Sequence, residues 1–126
     1  MGARFDKSGL MSVCNKFQSD DFNVKRDVPL PGDQRYKVPI LLTSPNKEFL
    51  FPVIFRQNPV SINDETLLEQ CGRVAEAYQK SNSNSIQVLV VAPLIPGGDY
   101  MLREFNRGQL SELHTLDSYI GNTRKF

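Results

Sequence analysis

Residues 51–59 read FPVIFRQNP. Phe51, Val53, Ile54 and Phe55 form an apolar run, and Arg56, Gln57 and Asn58 follow at once before Pro59. A strand that ends in such a cluster delivers a guanidinium and two amides to the edge of a sheet. Arg35 and Lys37 precede the strand before it. With Lys25, Arg26 and Arg73 they could join Arg56 in a basic surface. Phosphate contacts from such residues are independent of base sequence and sensitive to salt. Ordinary solvated charge is the plainer reading, because 15 Lys and Arg are matched by 14 Asp and Glu.

The acids of this region offer donors for a hard cation. Glu48 lies seven residues before Phe55. That is roughly 20 Å along a strand that rises about 3.3 Å per residue, and it falls in a turn. Glu65 and Glu69 belong to the next helical segment. Glu69 stands four residues before Arg73, and Glu76 four before Lys80. Both have the favoured order of exposed helical ion pairs. Asp27 and Asp33 precede the second strand and reach a site only through a bulge. His114 is the one histidine and has no ligating or nucleophilic neighbour in sequence. Gly97 and Gly98 follow a strand, but without GxGxxG or a Walker lysine they read as a tight turn.

The totals bound these readings. A chain of 126 residues builds one core and suits a single domain over 1–126. Apolar residues make 40% and charged residues 23%, as in ordinary globular chains. A net charge of +1 gives no global field to recruit nucleic acid or membrane. Cys14 and Cys71 show no metal spacing and read as free thiols in a reducing compartment. The first residues hold no apolar signal region, and Asp6 stands where myristoylation at Gly2 wants Ser or Thr. No run approaches the ~20 apolar residues of a membrane span. The expected location is therefore intracellular, cytoplasmic or nuclear, with no membrane partner.

The elements that position the stretch follow from pattern. Leu10, Met11, Cys14 and Phe17 predict a short helix over 7–18. A strand over 22–28 ends at Pro29, Pro31 and Gly32. Residues 36–43 and 49–57 predict an antiparallel hairpin across the turn Ser44-Pro45-Asn46-Lys47. Pro39 and Pro52 imply bulges or edge positions there. Leu67, Leu68, Cys71, Val74, Ala75 and Tyr78 form one apolar stripe, with caps among Ser61, Asn63 and Asp64. IQVLVVAPL, 86–94, is a strand of the kind buried on both faces. Strand, helix and strand form a right-handed crossover with a parallel pair. Leu102, Phe105, Leu113, Leu116 and Ile120 predict helix over 99–120, interrupted at Gly108, and a frayed basic tail ends the chain. The expected class is an α/β domain with a mixed sheet, in the order α-β-β-β-α-β-α.

VPILLTSPNKEFLFPVIFRQNP, then LLEQCGRVAEAYQKSNSNSIQVLVVAP, resembles the core of the PD-(D/E)XK nuclease-like superfamily, the restriction-endonuclease-like fold. The likeness covers about 22–95, lies nearest the transposase and nuclease-like members, and rests on pattern and order. It implies phosphodiester hydrolysis with Mg²⁺, which is held by carboxylate oxygens and acidifies a bound water. The first acid would fall on Val38 or Pro39, and the second on Phe55, or on Ile54 in a register shifted by one. The water-positioning group would fall on Gln57 or Arg56. A hydrocarbon cannot ligate Mg²⁺. The resemblance therefore implies a degenerate, catalytically inactive nuclease-like domain that needs no cofactor. It would serve as a nucleic-acid or protein binding module, or persist as a mobile-element remnant, with Arg35, Lys37 and Arg56 as weak nucleic-acid contacts. One rival is an active Mg²⁺-dependent nuclease with a displaced acid. Another is an unrelated protein-interaction domain.

Overall fold

The computed structural model of the chain describes residues 7–123, with side chains over 9–121. The readings at Gly2 and Asp6 and residues 124–126 of the tail GNTRKF lie outside the described residues, while 121–123, expected to fray, are helical. Among the described residues are three helices and eight strands in one open sheet, most of whose pairs are antiparallel. α1 (Lys7–Ser19) precedes a meander of β1 (Asn23–Leu30), β2 (Asp33–Thr43) and β3 (Phe49–Phe55). α2 (Glu65–Ser81) leads to β4 (Ser85–Ile86) and β5 (Val88–Pro93). β6 (Tyr100–Asn106), β7 (Gln109–Leu110), β8 (His114–Thr115) and α3 (Leu116–Thr123) complete the chain. The sheet runs β1-β2-β3-β5-β6-β7, with β4 beside β3 and β8 beside β6.

The expected hairpin forms, with Ile40 opposite Val53 and Thr43 opposite Leu50. The expected parallel pair forms too, Val53 beside Leu89 and Phe55 beside Val91. All of β5 is buried. Leu89 and Val91 face a core with Val13, Cys14 and Phe17 of α1 and Leu116 and Ile120 of α3. Val88 and Val90 face a second core beneath Leu67, Cys71, Val74 and Tyr78 of α2. α2 starts where its cap predicts: Asp64 is extended, and its carboxylate accepts the Leu67 N–H at 3.1 Å. Met11, counted in the apolar stripe of α1, is 43% exposed, and Val13 takes the core position instead.

The helix expected over 99–120 forms only from Leu116 onward, and the structure corrects the rest to strand and turn. Residues 100–106 pair antiparallel with β5, Val91 opposite Leu102. The reason is hydrogen bonding. A strand buried on both faces must satisfy its backbone along both edges, and β3 supplies only one of them. Arg107 and Gly108 then turn the chain with φ of 52° and 81°. Positive φ at two successive residues is the geometry of a tight β-hairpin turn. Gly108 is thus a turn residue and not a flaw in a helix.

The prolines behave differently from one another. Asp27 has φ 52° and forms no ladder pair with Pro39, although Arg26 pairs with Ile40 and Val28 with Val38 on either side. Across this break the ribbon changes face. Val24, Ile40 and Leu42 pack on the α1 side, whereas Val28, Leu30 and Val38 pack on the α2 side. Pro39 therefore marks the irregularity that its missing donor implies. Pro52 does not lie at an edge. It is buried inside β3, level with the gap in pairing between β4 and β5.

Truncating Leu67 or Val74, each 1% exposed, to Ala is expected to cost ~1–4 kcal/mol in a denaturant melt, as buried large-to-small changes do. An effect near zero would contradict the packing of α2.

Both cysteines are buried free thiols, at 3% and 0% exposure. Burial raises the pKa of Cys14, with Arg26 opposing, and pushes Cys71 up to about 12, with Arg56 opposing. Burial likewise holds the Tyr78 hydroxyl at about 12. Each group is neutral when folded. For Cys71 and Tyr78 the stabilisation is therefore full below the ordinary pKa, 9.0 for the thiol and 10.0 for the phenol, and is lost as pH rises through about 12. Stability should fall between those values, and Cys71→Ala should flatten the decline. Native protein should resist thiol reagents at about pH 8 and react fully once unfolded.

Candidate functional site

Beyond Val38 the β1–β2 ribbon runs past the end of β3, since Ile40 already pairs with Val53. The protruding part turns at Gly32, φ 83°, and packs Leu30, Val28 and Tyr36 against the α2 side. Three elements therefore meet there: the ribbon, the carboxyl end of β3 and the first half of α2. The Arg56 N–H still donates to the Val91 carbonyl at 2.9 Å, which continues the parallel ladder and fixes the backbone at this end.

Side chains from all three elements form one chain of hydrogen bonds. Arg56 Nη2 donates to Gln70 Oε1, and Gln70 Nε2 donates to Tyr36 Oη. All three residues are partly buried. A second cluster lies one helical turn on, where Asp33 accepts from Arg35 Nε at 3.5 Å and faces Arg73 Nη2 at 3.7 Å. The Arg35 side chain is 95% exposed, and contacts of this kind contribute about 0–1 kcal/mol. Arg73 thus meets Asp33 and not Glu69, while Glu76 and Lys80 do pair, at 2.8 Å.

The positions singled out in the sequence separate as follows. Val38 is fully buried on the α2 side, and Ile54, 2% exposed, shares that face. Phe55 faces the opposite core and packs its ring on Tyr100 at 4.8 Å between centroids. Val38 and Phe55 therefore lie on opposite faces of the sheet, and the register that brings two positions together is Val38 with Ile54. Arg56, two residues after Ile54, lies on the same side, toward Gln70. Gln57 is partly exposed just past β3, and Pro39 sits at the change of face. Lys37 is exposed on β2. Glu48 lies in the β2–β3 turn, its N–H donating to Asn46 Oδ1 at 3.0 Å. Glu69 is exposed on α2. His114 is partly buried in β8, beside the Tyr119 ring. Gly97 has φ 73° in the turn after β5. Among the described residues no three of His, Cys, Asp and Glu converge as a metal-binding group would require.

Tyr36 and Gln70 were missing from the sequence reading, because 34 residues part them. One signal was present: Gln70 follows Leu67 by three and precedes Val74 by four, a polar group on an apolar stripe. No protein-family model, curated protein or solved structure matches the chain. The site is therefore read from its own geometry.

What the arrangement does chemically is hold a guanidinium in place. Arg56 is tied through one nitrogen and keeps other N–H donors for an anion. Gln70→Leu should leave Arg56 and Tyr36 without their shared partner, at a cost of about 1–3 kcal/mol for groups that lose a partner while partly buried. Denaturant melts of Gln70→Leu, Tyr36→Phe and the double variant measure this. The double variant should cost less than the sum of the singles, and simple additivity would show that the chain is not coupled.

Proposed function

We propose that this chain is a catalytically inactive domain of restriction-endonuclease-like ancestry that binds nucleic acid weakly through phosphate contacts. One observation carries the reading: the face on which Val38 and Ile54 converge is apolar and closed beneath α2, and the polar group beside it is an arginine. Neither hydrocarbon can donate to a divalent cation. Two features support the likeness behind it. A helix, a three-strand meander, a helix and a strand parallel to β3 follow in the implied order, and α1 and α2 cover opposite faces. The protruding ribbon beside Arg56 carries Arg35 and Lys37 against Asp33 over residues 30–37. Exposed cations on a protruding ribbon suit the backbone of a nucleic acid more than its bases.

A second reading retains catalysis through a displaced acid with Mg²⁺. Asp33 favours it, since it lies over α2 near the turn that carries Gln70. Its two arginine contacts weigh against it, because a carboxylate so engaged is less open to a metal.

The purified chain should cleave neither plasmid nor single-stranded DNA or RNA in Mg²⁺ or Mn²⁺. Its affinity for a short oligonucleotide should fall with salt at a log–log slope of about −2 to −3, as for two or three phosphate contacts. Arg35→Glu with Lys37→Glu should weaken binding by about tenfold or more. Metal-dependent cleavage that is lost in Asp33→Asn or Glu69→Gln would establish the active reading. Binding that ignores both salt and charge reversal would favour the unrelated interaction domain.

A further inference from the structure

Among the described residues the large apolar side chains left exposed are those of Met11, Ile62, Leu94 and Ile95. Met11 sits apart on α1, with Arg26 Nη1 against its sulfur at 2.9 Å. The other three lie beyond the carboxyl end of the parallel pair β3 and β5. Ile62 belongs to the loop after β3, and Leu94 and Ile95 open the turn after β5. Val60 and Leu94 border one hollow, so the two loops are neighbours. Exposed apolar residues scattered singly need no explanation, but a contiguous patch marks a contact surface.

This patch is neutral and held in shape. Residues 57–63 and 92–98 include no charged residue, in a chain that is 23% charged. Depletion of charge characterises the centre of a protein interface. The Gly98 N–H donates to the Ile95 carbonyl at 2.9 Å across a turn in which Gly97 has φ 73°. Pro96 at the first central position and glycine at the second are the residues of a type II turn. A Cβ on Gly98 would stand 2.8 Å from Ile95 Cγ1, so the Ile95 side chain rests in the space that glycine leaves. Ile95 is therefore 62% exposed and yet seated. A side chain already seated loses less freedom on contact.

The hollow and the missing charge narrow the occupant. The hollow, bordered by Val60, Leu94 and Leu113, measures about 20 Å³. Small-molecule sites are ~300–1,000 Å³, so it suits the methyl end of one aliphatic side chain instead. The loops offer no cation to a phosphate backbone and no charge to a charged protein. A second copy of this chain presents what fits: a neutral aliphatic ridge beside a methyl-sized hollow. A two-fold axis lets each ridge enter the other copy's hollow, as in any isologous contact. We propose that the chain forms a two-fold homodimer through this patch, with Ile95 of each copy against the partner's Val60 and Leu113. The three exposed side chains offer a few hundred Å² per copy. That is below the ~800 Å² per partner of a standard interface, so the dimer is weak and reversible. It uses no charged side chain, and its test is separate from that of nucleic-acid binding.

Sedimentation of the full chain from about 5 µM to 1 mM tests the proposal, with half association expected in the range of roughly 10–100 µM for so small a contact. Amide shifts that change with concentration should fall at residues 58–62, 94–98 and 113. Raising NaCl from about 0.1 to 0.5 M should leave the association unchanged or strengthen it, as for apolar contact. Leu94→Asp and Ile95→Asp should each weaken association by about tenfold or more, since two buried carboxylates would face each other or lose water. Both should melt close to the native temperature when dilute, because the positions are exposed. Ile95→Ser should weaken association as well, without introducing charge, and Met11→Ser should leave it unchanged. The proposal is overturned if the native chain stays monomeric at about 1 mM. A dimer that survives Leu94→Asp and Ile95→Asp together, or that dissociates as salt rises, overturns it too. Shifts of the same amides on addition of phosphatidylcholine vesicles, to a chain that remains monomeric throughout, would assign the patch to a lipid surface instead.

Discussion

The parallel pairing of β3 with β5 is the constraint on which the rest of the structure depends. Both strands are buried on both faces. Two apolar faces need two covers, so α1 and α3 close one side and α2 the other. Two strands with no exposed edge need partners outside them, so β2 flanks β3 and β6 flanks β5. The parallel sense needs a crossover, which α2 provides. The site at Arg56 follows, because the last bond of this ladder sets where that side chain leaves the sheet.

The elements that carried a local signal were legible in the sequence. The α2 stripe and the Asp64 cap, the β2–β3 hairpin and the uninterrupted apolar run of β5 each state their structure within a few residues. What was not legible depended on partners distant in the chain. Leu102 and Phe105 fit a helical period, and the demand of β5 for a second neighbour overrode it. Asp27 gave no local sign of φ 52°, since only its place opposite Pro39, which has no donor, made an irregularity there useful. The choice between Phe55 and Ile54 rested on one residue of register, and in a strand one residue exchanges the faces.

The same change of face explains the candidate site. Had the ribbon kept its alternation through Pro39, Val38 would lie on the α1 side with Ile40 and Leu42. Because it switches, Val38 and Tyr36 turn toward α2, and Tyr36 reaches Gln70. One backbone irregularity thus closes the apolar position at Val38 and supplies the far end of the hydrogen-bonded chain that holds Arg56. At the opposite end of the same side, the ribbon has not yet crossed over. Asn23, Lys25, Leu41 and Thr43 alternate there in the register set before the switch.

On the proposed reading, no divalent cation is held where the apolar face of Val38 and Ile54 adjoins Arg56. Paramagnetic broadening by Mn²⁺ reads this directly, since a bound ion erases amide signals around it whether or not chemistry follows. The account predicts that titration with Mn²⁺ leaves the amides of residues 36–40, 54–57 and 69–73 no more broadened than those around the exposed Glu65. Selective loss of those signals at low Mn²⁺, reversed by Mg²⁺, would contradict it.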